Sequence, residues 1–220
     1  MATGRTQRIG IWIIAVALTV GTLAGFIAII LAPGNQKINQ DYLTRISNDY
    51  QVATDDYQKK VDAQALELSG LYFPELNKYS DYPTVFEAST VAELKTEDLK
   101  TGTGLELTSD SSFSAYYIGW TPDGKVFDSS ISDGKLKAPI LVEPGGVIEG
   151  WSEGVVGMKE GGIRLLTIPS EKAYGASGAG ETIPPNTPLK FIVMIIPTPE
   201  PIIEPEIPAD LLKYYSTGSI

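Results

Sequence analysis

The sequence predicts an α+β domain, an antiparallel sheet wrapped around one short helix, and three observations carry that prediction. Phe113, Ala115 and Tyr117 alternate with Ser114, Tyr116 and Ile118 at the period of a strand. Two further β-branched runs, GIRLLTIP at 162–169 and LKFIVMIIP at 189–197, lie toward the C-terminus. Ahead of them, Ile148, Trp151, Val155 and Met158 fall on one helical face behind the breakers Pro144, Gly145 and Gly146.

A transmembrane helix is expected before this domain. Ile9–Ala32 carries no charged residue and is long enough to cross a bilayer. It exceeds the roughly 15-residue apolar region of a cleaved signal peptide. Arg5 and Arg8 precede it without a nearby acid, whereas Lys37 behind it is soon answered by Asp41. The positive-inside bias therefore predicts an anchor over 1–33, with the N-terminus cytoplasmic and the rest extracytoplasmic.

Residues 34–90 read as a polar, partly helical stalk and linker. Leu43, Ile46, Tyr50, Ala53 and Tyr57 recur at three- and four-residue steps. A helix from about Lys37 to Leu68 would reach roughly 48 Å. Its thin apolar stripe suits a homodimer seam, packing on its own domain, or a solvated stalk. The stretch FPELNKYSDYPTVFEAS at 73–89, with two prolines and several turn formers, reads as linker.

The folded domain is expected over 91–198. After the strand at 113–118, the turn TPDGK at 121–125 sends Lys125–Asp128 back as a partner strand. Residues 199–220 alternate Pro and Glu before Leu211–Tyr215, which predicts an extended acidic tail with one short docking segment.

Composition removes most chemistries. The 220-residue chain has a net charge of −10, which disfavours nucleic acid and polybasic attachment to lipid. With no His and no Cys there is no Ser-His-Asp triad, no thiol nucleophile and no His- or Cys-held zinc. Asp128 and Glu153 are available as a carboxylate pair for glycoside hydrolysis, but their surroundings offer that chemistry nothing. GASGAGE at 175–181 does not join a strand to a helix as a phosphate loop must.

What remains is aromatic. YYIGWTPDGKVFDSS at 116–130, VIEGWSEGVVGM at 147–158 and AYGASGAGETIPPNTPLKF at 173–191 occur in that order. From about Leu94 to Pro197 the chain resembles the FKBP family, the macrolide-binding peptidyl-prolyl isomerases. The resemblance implies a pocket with Trp151 as floor under a proline ring, and Tyr117, Phe127, Val147, Ile148 and Phe191 as walls. It further implies that the Ile148 N–H and the Tyr174 hydroxyl hold substrate carbonyls and that Asp128 supplies polarity near the twisting bond. Ile183 would stand in the flap leading into Pro184 and Pro185. The stalk would correspond to the dimerising N-terminal helices of Mip-like members.

The chain also departs from that pattern. The loop position of a pocket Phe reads Ala138 or Pro139, and the Arg that pairs with the pocket Asp must be replaced by Lys135 or Lys137. In the flap a His becomes Ala179 and an Ile becomes Thr182. These changes bear on macrolide affinity and substrate preference more than on activity.

Prolyl isomerisation suits a chain so poor in reactive groups. Resonance sets a barrier of about 18–20 kcal/mol to rotation of the peptide bond. Twisting removes the resonance and its charge separation, so a dry apolar pocket favours the twisted imide over the planar one. No cofactor and no metal are required. The expectation is a membrane-anchored isomerase acting on proline-containing clients of the extracytoplasmic space. The alternative is a tethered, non-catalytic proline-binding or chaperone module on the same fold.

Overall fold

A computed structural model describes residues 40–217. The expected membrane span, Ile9–Ala32, lies outside the described residues. Among those described, no helix is long and apolar enough to cross a membrane. They form two compact units: the described parts of Met1–Asp62 and Pro201–Ile220 make one, and Ala63–Glu200 the other.

The larger unit is built on an antiparallel sheet. Its strands are β1 (Lys95–Lys100), β2 (Phe113–Trp120), β3 (Val126–Ser129), β6 (Ile140–Val142), β7 (Ile163–Ile168) and β8 (Leu189–Ile196). They run in the order β1-β7-β8-β2-β3, with β6 also paired to β2. β3 meets Ile118–Trp120 and β6 meets Phe113–Ala115, so one edge of β2 is shared by two short strands. Between them β4 (Ile131–Ser132) and β5 (Lys135–Leu136) form a small separate hairpin.

Side chains alternate across this sheet as the period of two requires. Phe113, Ala115, Leu166, Ile168, Phe191, Val193 and Ile195 join Trp151, Val155 and Met158 on the front. Tyr116, Ile118, Trp120, Ile163, Ile192, Met194 and Ile196 form a second cluster on the back. Both faces are buried, which is why β8 after Lys190 reads as a continuous apolar run rather than an alternating one.

The back is closed by the end of the long helix α1 (Gln40–Leu76). Tyr72, Phe73 and Leu76 pack there, and buried Ser69 Oγ accepts the Leu136 N–H at 2.8 Å. This corrects two expectations: the helix runs to Leu76 rather than Leu68, and the supposed linker begins inside it. Pro74 misled because it normally breaks a helix interior. Here it stands in the last turn, where the one lost hydrogen bond is outweighed by burial of its neighbours.

The short helix α2 (Glu149–Gly154) crosses the front. It is shorter than the face 148–158 implied, since Val155 caps it and Met158 arrives through a turn closed by its N–H on the Val155 carbonyl. Arg164 fixes its end. The guanidinium donates to the Gly154 and Val156 carbonyls at 2.8 and 3.0 Å and to Asp98 at 2.6 and 3.1 Å.

In the smaller unit the tail is not wholly extended. A helix α3 (Ala209–Thr217) starts behind Pro208, whose carbonyl accepts the Leu211 and Leu212 amides. Leu211 is buried, and the Tyr42 hydroxyl donates to Asp210 at 2.6 Å. Ile46, Asp49, Tyr50 and Ala53 with Pro205, Glu206 and Pro208 line an open groove of about 350 Å³.

Candidate functional site: an aromatic cluster on the front of the sheet

Four rings from four elements converge on the front face. β2 brings Tyr117, β3 Phe127, α2 Trp151 and β8 Phe191. Trp151 stands edge-on to Tyr117 at 5.5 Å and to Phe191 at 5.4 Å, and Phe127 stands edge-on to Phe191 at 5.5 Å. Tyr117 and Phe191 are tilted at 6.3 Å. Edge-to-face contacts of this kind fix ring orientation beyond what area burial alone does.

Gly119 makes this convergence possible. It is paired with Phe191 on one side and Asp128 on the other. A Cβ there would lie 2.6 Å from Phe191 and 2.8 Å from Phe127, so any side chain would push two walls apart.

Trp151, Ile183 and Phe191 are each 4% exposed, whereas Tyr117, Phe127, Val147, Ile148 and Tyr174 are half-buried around them. All these sequence-predicted residues thus meet in one cluster.

The polar groups sit at its rim. Asp128 accepts the Tyr117 hydroxyl and, at 2.8 Å, the Ser129 N–H. Burial first, then the hydrogen bond to Asp128, push the Tyr117 phenol far above its usual range. Burial also raises Tyr174, with Asp128 adding to it. The Tyr174 hydroxyl has no hydrogen-bond partner among the described residues, nor does the Ile148 N–H, although the Ile148 carbonyl accepts the Trp151 and Ser152 amides.

The flap folds as a tight loop. Ala179 and Ile183 exchange backbone hydrogen bonds at 2.8 and 3.1 Å, and the Asn186 N–H reaches the Gly175 carbonyl at 2.8 Å. Gly178 holds φ +62°, and a Cβ there would meet the Ile183 carbonyl oxygen at 2.3 Å. That turn delivers Ile183 into the cluster while Thr182 stays exposed.

Comparison with known proteins agrees with this geometry. Residues 105–196 match the family model described as FKBP-type peptidyl-prolyl cis-trans isomerase. An FK506-binding protein of Neisseria meningitidis serogroup B is 48% identical over 100 residues, 46% of this chain and 91% of that protein. The chain belongs to the FKBP-type peptidyl-prolyl cis-trans isomerases. A probable isomerase of the same organism, FkpA, is 37% identical over 137 residues, 62% of this chain and 48% of that protein. A solved isomerase of Pseudomonas syringae pv. tomato is 31% identical, covering 63% of this chain and 96% of that one, with a TM-score of 0.43.

Within this FKBP-type domain, Lys137 rather than Lys135 approaches Asp128. Its Nζ lies 3.9 Å from the carboxylate and donates to the Ser129 carbonyl at 2.7 Å. Ala138 is exposed and Pro139 half-buried, so neither replaces a ring in the cluster. Sequence reading missed Ser130, whose buried Oγ accepts the Tyr117 N–H at 2.9 Å and anchors that residue's backbone. It also missed Lys172, which donates to Glu149 and Glu153 of α2 at 2.8 and 2.6 Å. Glu153 is therefore one of three members of an ion-pair network, not a partner for Asp128. Opposite charges on separate elements leave no periodicity to read.

Proposed function

We propose that this isomerase is anchored by Ile9–Ala32, faces the extracytoplasmic space, and accelerates X–Pro isomerisation in exported clients. Uncatalysed isomerisation takes tens to hundreds of seconds, slow enough to limit folding. Trp151 is the floor on which the proline ring rests, with Tyr117, Phe127, Val147, Ile148, Ile183 and Phe191 around it. The Ile148 N–H and the Tyr174 hydroxyl take the carbonyls flanking the imide. Asp128 holds the Tyr117 hydroxyl and presents its own dipole to the bond as it twists.

The observation that carries this reading is the unpartnered, half-buried Tyr174 hydroxyl beside an aromatic cluster that already fixes its other rings. That hydroxyl is not sealed from solvent, so a substrate carbonyl can take it without breaking a hydrogen bond within the protein. The remaining contribution is exclusion of water from an imide whose twisted form is the less polar one. Each ~1.4 kcal/mol of preference for that form is worth tenfold in rate.

The full chain, reconstituted in detergent, is to be assayed for X–Pro isomerisation beside Asp128→Val and Tyr174→Phe. The parent is expected to exceed the uncatalysed rate, with both variants slower. A parent at the uncatalysed rate overturns catalysis and leaves a proline-binding module. For topology, protease added to intact cells should release the domain, and full protection reverses the orientation.

A further inference from the structure

We infer that Lys172 is a positioning residue of the isomerase site, a strap that ties the turn carrying Tyr174 to the helix carrying Trp151. The inference rests on the pocket reading above. Lys172 closes the turn Ser170–Lys172, two residues before Tyr174. Its ammonium reaches two carboxylates 23 and 19 residues away in the chain, Glu149 and Glu153.

Those two acids stand four residues apart on α2, on either side of Trp151. Like charges at that spacing repel along a helix. A single ammonium between them turns the repulsion into a two-armed attraction. Glu149 is held below the usual carboxylate range by Lys172, and Lys172 is raised by the pair. The three side chains form one network, the circumstance in which partly exposed ion pairs have effect.

The turn has no other polar tie to α2 among the described residues. The Lys172 and Ala173 amides go to the Pro169 and Ser170 carbonyls, and the Gly175 carbonyl to Asn186, all within the same loop. Apolar contact of Ala173 and Tyr174 with the front cluster sets depth but resists sliding poorly. The strap supplies the lateral restraint. It holds the Tyr174 hydroxyl at a constant distance from the floor, and a shift there acts on a bound imide rather than on the stability of the sheet.

The test uses the full chain with Lys172→Met, Lys172→Arg and Trp151→Leu, measuring kcat/KM against sodium chloride and the thermal midpoint of each. Lys172→Met should lower kcat/KM about three- to tenfold at low salt with little change in midpoint, and Lys172→Arg should restore most of it. The parent's kcat/KM should fall as salt screens the strap, and Lys172→Met should lack that dependence. Parent-like kcat/KM in Lys172→Met, an unaltered salt slope, or a loss that merely tracks a lowered midpoint overturns the strap. Failure of the pocket reading is separate: Trp151→Leu would then keep parental kcat/KM, whereas a slowed Trp151→Leu beside a parent-like Lys172→Met condemns the strap alone.

Discussion

The hydroxyl of Tyr117 donates to the carboxylate of Asp128, and the ring behind that hydroxyl stands edge-on to Trp151 at 5.5 Å. One side chain therefore joins the polar rim of the site to its floor. Neighbouring strands set the relationship, since Gly119 on β2 pairs with Asp128 on β3.

Tyr117→Phe keeps the ring and removes the donor. Asp128 retains the Ser129 N–H, so the fold should hold, while kcat/KM falls about two- to tenfold, the worth of one net hydrogen bond. Asp128→Val should cost more, about 1–3 kcal/mol in stability, because it strands a half-buried phenol. Denaturant midpoints beside isomerisation rates separate the two. Equal loss of stability in both variants refutes the asymmetry.

Gly119→Ala tests the walls without touching a functional group. The new methyl must displace Phe191 and Phe127, both already locked in edge-on contacts. Overpacking of this kind costs about 1–3 kcal/mol. Activity should fall further than stability predicts, and aromatic ring shifts in NMR spectra should move for both phenylalanines. An unperturbed spectrum would mean that the walls have room to spare.

The front of the domain was legible because its residues carry periodic or paired signals. The β2 alternation, the TPDGK turn and the two apolar runs appear where expected, and Trp151 stands on a helix shorter than its face implied. The back was not legible. Tyr72, Phe73 and Leu76 flank a proline in a stretch rich in turn formers, and nothing local says that a sheet will shelter them. Tertiary burial overrode the local signal. The ion pairs Arg164–Asp98 and Lys172–Glu149 were invisible for a related reason, since each joins elements far apart in sequence.

Removing residues 63–89 should expose the back of the sheet. Tyr116, Ile118, Trp120, Ile192 and Met194 would lose the cover of α1, although the aromatic site lies on the other face. A chain beginning at residue 90 should bind a hydrophobic dye, aggregate and melt well below one beginning at residue 63. Equal melting of the two would show that the sheet stands without its helix.

Tyrosine titration gives the pH dependence. Burial raises Tyr116 to about 12, and its hydroxyl lacks a hydrogen-bond partner in the back cluster. Tyr117 and Tyr174 are raised too, by burial and by Asp128. In the unfolded chain each phenol ionises near its ordinary value of about 10. The folded form thus keeps its protons longer, and its stability is intact below pH 10 and lost as pH rises through the raised values. For Tyr116 alone, the rise to about 12 corresponds to on the order of 2–3 kcal/mol. Phenolate absorbance should therefore leave part of the eleven tyrosines silent until a cooperative alkaline unfolding step releases them together. In a chain lacking residues 63–89, Tyr116 should join the early, exposed group while Tyr117 and Tyr174 stay late. Early ionisation of all three in the intact chain would contradict the burial on both faces of the sheet.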